Sequence, residues 1–372
     1  YKIGQRANVK STSVFFYGTG IRALGANPIS DAMIWSDSYR GQKDVAALTD
    51  ADLVSTTYYV GEKGDEVADY SYNYKIGQRA NIKSTSVFFY GTGVRADSAD
   101  PILDAMISSD SYRGAKDVAA LDDTNLISTT YYVGEKGDEV ADYSYNYKIG
   151  QRTNVKSTSV FFYGTGVRAI DANPISDAMI WSDSYRGLKD VAALTDADLV
   201  STTYYVGEKG DEVADYSYNY KVGQRANIKS TSVFFYGTGV RADSADPILD
   251  AMIWSDSYKG EKDVAVLTDA DLVSTTYYVG EKGDEVADYS YNYKIGQRAN
   301  VKSTSVFFYG TGVRALAANP ISDAMVSSDS YRGAKDVAAL DDTNLVSTTY
   351  YVGEKGDEVA DYSYNYKIGQ RT

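Results

Sequence analysis

Arg22, Asp31 and Trp35 are the residues in this chain whose types and spacing best suggest chemistry. The set returns as Arg95 and Asp104, as Arg168, Asp177 and Trp181, as Arg241, Asp250 and Trp254, and as Arg314 and Asp323. A guanidinium beside a carboxylate can fork the vicinal hydroxyls of a sugar, and an aromatic face can cover the apolar C–H face of the ring. The competing reading is an Arg–Asp ion pair between neighbouring strands, worth at most about 1 kcal/mol if exposed.

Other chemistries fare worse. There is no His, which removes His-based acid–base catalysis, Ser-His-Asp triads and most transition-metal sites. There is no Cys, so disulfides and thiolate metal sites are excluded. Asp50/Asp52 and Asp122/Asp123 offer oxygen ligands for calcium, but no D-x-D-x-D-G loop accompanies them, and a solvated acidic face is the better reading. Asp31 and Asp69 would suit a carboxylate-pair glycosidase, but their repetition in every unit argues against an enzyme. The glycines of Gly18-Thr-Gly20 and at Gly61 and Gly64 read as hairpin glycines, not phosphate loops. Neither catalysis nor a cofactor is expected.

These residues sit in a 73-residue unit written five times: 1–73, 74–146, 147–219, 220–292 and 293–365, with a closing YKIGQRT at Tyr366–Thr372. Repeats can share a continuous core, so residues 1–372 form one repeat domain. Tyr is the signature residue, with 36 copies, and Pro occurs once per repeat. Within the first unit, 10–17 and 53–60 read as strands. Gly61-Glu-Lys-Gly64 reads as a hairpin loop, and 66–74 as the returning strand. In that strand Ala68, Tyr70, Tyr72 and Tyr74 alternate onto one face, with Val67, Asp69, Ser71 and Asn73 on the other. Such an aromatic row is expected where one sheet packs on another. Residues 27–39 allow strand or helix, with strand ahead; Asn27-Pro28 is a good helix start. Residues 44–52 are an acidic connector with room for one helical turn.

Four strands per unit describe a propeller blade, so the expected fold is all-β, a five-bladed β-propeller, with a β-solenoid as the alternative. The copies differ at three loop-like places: Leu24-Gly-Ala26, Gln42 and Thr49-Asp-Ala-Asp52. Trp35, Trp181 and Trp254 are replaced by Ser108 and Ser327 in the remaining units. A buried Trp lost in this way would leave a cavity costing about 3–5 kcal/mol, so the position is expected to be exposed or at a rim. In a closed ring, Tyr366–Thr372 would claim the same place as Tyr1–Ala7.

Thr57-Tyr-Tyr-Val-Gly-Glu-Lys-Gly-Asp-Glu-Val-Ala-Asp-Tyr-Ser-Tyr-Asn73, and Gly20-Ile-Arg-Ala-Leu24 running on to Ile29-Ser-Asp31, resemble the blade rhythm of the fungal fucose-binding lectins. That resemblance implies a β-propeller binding fucose between blades. By it, Arg22 would hold the sugar oxygens, Asp31 would take the place of an acidic residue, and Trp35 would stack. The chain departs from the family in its longer unit, in Asp for Glu, in lacking an Arg near Thr56, and in two units without Trp.

The partner expected is therefore a glycan or glycoprotein, bound at several equivalent sites, and a secreted or cell-surface location is favoured over the cytoplasm. The rival is a structural or self-assembling Tyr-rich surface protein without a small-molecule ligand. A net charge of −14 argues against nucleic acid and anionic membranes. No apolar run approaches the roughly 20 residues of a membrane-spanning helix. The sequence opens on Tyr1 rather than Met, so targeting signals are unreadable.

Overall fold

The structure, a computed structural model, describes residues 9–320 and 322–371. Contacts divide the chain into two compact units. One runs to Asp177 and takes in Arg186–Ala192; the other holds Ala178–Tyr185 and Ala193 onward.

In the first unit the strands are β1 (Ser11–Tyr17), the two-residue β2 (Ile21–Arg22), β3 (Met33–Arg40), β4 (Leu53–Val60) and β5 (Val67–Lys75). They continue as β6 (Gln78–Tyr90), β7 (Met106–Arg113), β8 (Leu126–Val133), β9 (Val140–Lys148) and β10 (Gln151–Tyr163). Apart from β2, which lies against β1 only, each strand pairs antiparallel with the next. The second unit repeats the pattern. It holds β11 (Met179–Arg186), β12 (Leu199–Val206), β13 (Val213–Lys221), β14 (Gln224–Tyr236), β15 (Met252–Lys259) and β16 (Leu272–Val279). It continues through β17 (Val286–Lys294), β18 (Gln297–Tyr309), the short β19 (Val313–Arg314), β20 (Met325–Arg332), β21 (Leu345–Val352) and β22 (Val359–Asn365).

All-β architecture is as expected, but the propeller is not. A blade ends where its outer strand stops pairing. Here the 13-residue β6 pairs with β5 of the preceding repeat through Gln78–Val87 and with β7 of its own repeat through Ser84–Tyr90. Hydrogen bonding therefore runs straight through the repeat boundary, and within each unit the repeated hairpins form an open antiparallel sheet. This fits the solenoid alternative. Residues 33–40 are strand, whereas 27–32 form a turn-rich loop, neither strand nor helix, because Asn27-Pro28 opens an Asx turn in which the Asn27 carboxamide accepts the Ile29 N–H at 2.9 Å. The connector contains one short 3₁₀ turn, Asp50–Asp52, capped by Thr49.

The core is divided between the two faces of the sheet. On one, Val87, Tyr112, Leu126 and Tyr147 are buried under Val118 and Leu121 of the acidic connector. On the other, Val67, Tyr90 and Ala96 pack with Phe88 and Met106 beneath the loop that follows β6. A sheet expected to pack on another sheet is covered by its own loops instead. This is how a long meander can satisfy both faces: an open sheet has no second layer, so each repeat's loops must supply the apolar cover. Tyr58, Tyr70 and Tyr72 nonetheless form the aromatic row, with Tyr58 and Tyr70 stacked at 4.6 Å and Tyr72 edge-on to both.

Candidate functional site

The candidate Arg–Asp pairs are not brought together. Arg95 follows the Gly91-Thr-Gly93 turn and reaches back to the preceding repeat. Its Nε donates to Asp69 Oδ1 at 2.8 Å, its Nη2 to Asp69 Oδ2 at 2.5 Å, and its Nη1 to the Val118 carbonyl at 3.0 Å. Arg168 holds Asp142, Arg241 holds Asp215 and Arg314 holds Asp288 with the same bidentate geometry. Arg22 has no preceding repeat among the described residues, and donates only to the Val45 carbonyl at 3.2 Å.

The Asp of each set closes its own loop. Asp31 Oδ2 accepts the Asn27 N–H at 2.8 Å, and Asp104 accepts the Asp100 N–H at 2.8 Å. Asp177, Asp250 and Asp323 accept from Asn173, Asp246 and Asn319 in the same way. The carboxylate lies against the first glycine of the turn. A Cβ on Gly91, whose φ is +53°, would stand 2.5 Å from Asp104.

The Trp position, expected to be exposed or at a rim, is half-buried. Trp35 stacks on Phe16 at 5.1 Å and tilts toward Tyr58 at 6.5 Å. Trp254 does the same with Phe235 and Tyr277, and Trp181 lies 6.4 Å from Tyr204. Its ring covers the second turn glycine: a Cβ on Gly20 would meet Trp35 at 2.4 Å. Where Ser108 and Ser327 replace it, the spaces over Gly93 and Gly312 are open. Losing the ring therefore uncovers a surface hollow instead of sealing a void, which is why two repeats tolerate it.

The constellation missed from sequence lies in the repeated YKIGQR phrase. Arg79 Nη2 donates to Asp37 Oδ2 at 2.7 Å and to Asp50 Oδ1 at 3.1 Å, while its Nη1 donates to Thr56 Oγ1 at 3.1 Å. Thr56 in turn donates to Asp37 Oδ1 at 2.5 Å. The Arg79 guanidinium also lies 5.9 Å from the centre of the Tyr74 ring. Arg152, Arg225 and Arg298 repeat the network on Asp110/Asp123, Asp183/Asp196 and Asp256/Asp269. In the closing fragment, Arg371 completes it on Asp329 and Asp342. YKIGQRT thus supplies the arginine of the fifth unit's network. Its counterpart Tyr1–Ala7 lies outside the described residues. The signal was available: Asp37 is an invariant acid inside an otherwise pleated Ser-Asp-Ser-Tyr run, and a buried carboxylate requires a partner.

The acidic connector is likewise neutralised internally. Asp50 is held by Arg79, Asp52 by Lys43 and Asp122 by Lys116. Bonding to Lys116, and to the Thr124 N–H, holds the Asp122 carboxyl down at about 2. Burial pulls the Arg225 guanidinium down, but its bonds to Asp183 and Asp196 outweigh this and leave it more basic than usual. Burial, reinforced by Tyr72 and Tyr58, pushes the Tyr70 phenol up to about 12. Beside Arg225 runs an open groove of about 900 Å³ that includes Asp196, Gln224, Asn227 and Glu261. Its counterpart of about 650 Å³ beside Arg298 carries Ala334 where Glu261 stood.

The fold and its ion-pair network define an all-β tandem-repeat protein. No family model matches the chain, and no curated protein matches it. Among solved structures, the chain is similar to a crystal structure of TcdB2-TccC3, with 10% identity and a TM-score of 0.18, covering 95% of this chain and 20% of that one. It is also similar to TcdB2-TccC3-TEV, with 10% identity and a TM-score of 0.12, covering 93% of this chain and 20% of that one. The chain spans about a fifth of the length of these structures.

Proposed function

We propose that this chain is a non-catalytic structural repeat protein, whose charged and aromatic side chains hold successive repeats together instead of a ligand. One observation carries the reading: the arginines best suited to bind sugar, Arg95, Arg168, Arg241 and Arg314, are bidentate on a carboxylate of the preceding repeat. Releasing one for a hydroxyl would leave a nearly buried Asp unpaired, which typically costs about 3–5 kcal/mol. That exceeds what a few sugar hydrogen bonds return. The test is a glycan array together with calorimetric titration of simple saccharides. The expected result is no binding at about 10 mM sugar, with Arg95→Ala lowering stability. Specific binding lost in the Arg→Ala variants would overturn it.

A second reading keeps glycan binding but moves it to the grooves beside Arg225 and Arg298. Those grooves are open, polar and repeated, and they differ at Glu261 and Ala334. Repetition would give such a lectin avidity even with weak single sites. Array binding that survives Arg95→Ala but is lost in Asn227→Ala with Asn300→Ala would favour it.

A further inference from the structure

We propose that two repeats carry a ligand slot, at Ser108 and at Ser327, that takes a small uncharged planar aromatic of indole size. The proposal goes beyond the structural reading, which rests on the arginine pairs.

The filled repeats supply the template. Across β1, β3 and β4, Phe16 lies opposite Trp35, and Trp35 opposite Tyr58. The indole stands between the two rings, stacked on Phe16 at 5.1 Å and 23° and tilted toward Tyr58 at 6.5 Å. Its far edge reaches over Gly20. Around Trp254 the arrangement is the same, with Phe235 at 5.1 Å, Tyr277 at 6.4 Å and Gly239 under the ring edge.

The Ser repeats keep these walls and lack the filling. Phe89 lies opposite Ser108, and Ser108 opposite Tyr131. Phe308, Ser327 and Tyr350 share that register. The walls have not closed on the gap. Tyr131 still stacks on Tyr143 at 4.7 Å and 17°, as Tyr58 does on Tyr70 at 4.6 Å and 15°. Tyr350 stacks on Tyr362 at 4.8 Å and 20°. Each Tyr is thus held on the side away from the gap. Phe89 and Phe308 have no ring partner among the described residues, although Phe16 and Phe235 each stack on an indole. A Cβ on Gly312 would meet nothing within 4 Å, and one on Gly93 would meet only the Ile107 methyl at 4.0 Å.

The chemistry of the slot follows from its walls. Phe89, Ser108 and Tyr131 are half-buried, as are Phe308, Ser327 and Tyr350, so each slot opens to solvent between two aromatic sides. These walls are uncharged, and an indole fills the equivalent space in three other repeats. An entering ring would stack on the Phe and tilt toward the Tyr, geometries that the ring quadrupoles favour. An apolar space that keeps its shape when a side chain is missing accepts a ring of matching size from solution.

Saturation-transfer NMR with indole as the probe tests this. The wild-type protein should show saturable transfer with a Kd on the order of 1 mM. Ser108→Trp and Ser327→Trp should each remove about half of the signal, and the pair nearly all of it. Neither change should disturb the fold, because three repeats already carry Trp at this position, and circular dichroism checks this. Trp254→Ser should raise the signal by about half, a gain that a damaged repeat would not give. No saturable transfer up to about 5 mM indole, or transfer indifferent to the paired Ser→Trp changes, would overturn the proposal and leave the structural reading standing. Displacement of indole by simple saccharides at about 10 mM would also overturn it, by assigning the slot to a sugar ring.

Discussion

Arg225→Met probes the network that the sequence reading missed. Asp183 is 2% exposed and is held by Arg225 at 2.7 and 3.3 Å, by Thr202 at 2.5 Å and by the Tyr185 hydroxyl at 3.4 Å. Removing the guanidinium leaves a buried carboxylate with two neutral donors. Breaking such a pair from one side usually costs about 3–5 kcal/mol. The Arg225 side chain is itself 39% exposed, so water can partly replace it, and about 2–3 kcal/mol is the figure to expect. Repeat arrays do not unfold in one step, so a global midpoint is the wrong readout. Native-state amide exchange in Leu199–Val206 and Gln224–Tyr236 reports the local opening energy instead. Adding Asp183→Asn removes the stranded charge and should recover at least half of the loss. A change below about 1 kcal/mol would place the network among ordinary surface ion pairs and refute the reasoning.

Three other outcomes follow from the same geometry. Glu66 accepts the Met33 and Gly64 N–H groups, both at 2.9 Å. Burial pushes its carboxyl up, but these bonds outweigh it and leave it below the usual range. Its folded value being depressed, its contribution is present above the ordinary carboxylate pKa and fades as pH falls below it; Glu66→Gln should flatten that acid limb of a thermal melt. Burial raises the phenols of Tyr70, Tyr143, Tyr216 and Tyr289 to about 12, so the neutral form is favoured on folding. Their contribution is full below the ordinary value of 10.0 and is lost as pH rises toward 12, and the 295 nm tyrosinate signal should rise with unfolding rather than ahead of it. Gly91→Ala places a Cβ 2.5 Å from Asp104 at φ +53° and should cost about 1–2 kcal/mol or more, whereas Gly64→Ala, with open space, should cost only the positive-φ penalty of about 1 kcal/mol; chemical denaturation compares the two.

The strands at 53–60 and 67–75 were legible because Tyr, Val and Thr alternate cleanly and the Gly61 and Gly64 turn sits between them. The half-loop 27–32 was not, because Asn27-Pro28 begins either a helix or an Asx turn and only the Asp31 bond to the Asn27 N–H decides. Substitution of the Trp by Ser excludes a sealed core and points to an exposed or rim position; alignment with Phe16 and Tyr58 makes it half-buried.

Sequence alone determined the period, the all-β composition, the hairpin turns and the absence of His and Cys, because these depend on residue identity and local spacing. It could not determine which carboxylate each arginine takes. Asp31 lies near Arg22 in the chain, but a strand register brings Asp69 to Arg95 across 26 residues, and a hairpin brings Asp37 to Arg79 across 42. It could not separate a propeller from an open sheet either. Both use four strands per repeat, and the difference is whether β6 pairs back onto β5 of the preceding repeat. That choice is made by pairing between repeats, where identical letters offer several partners.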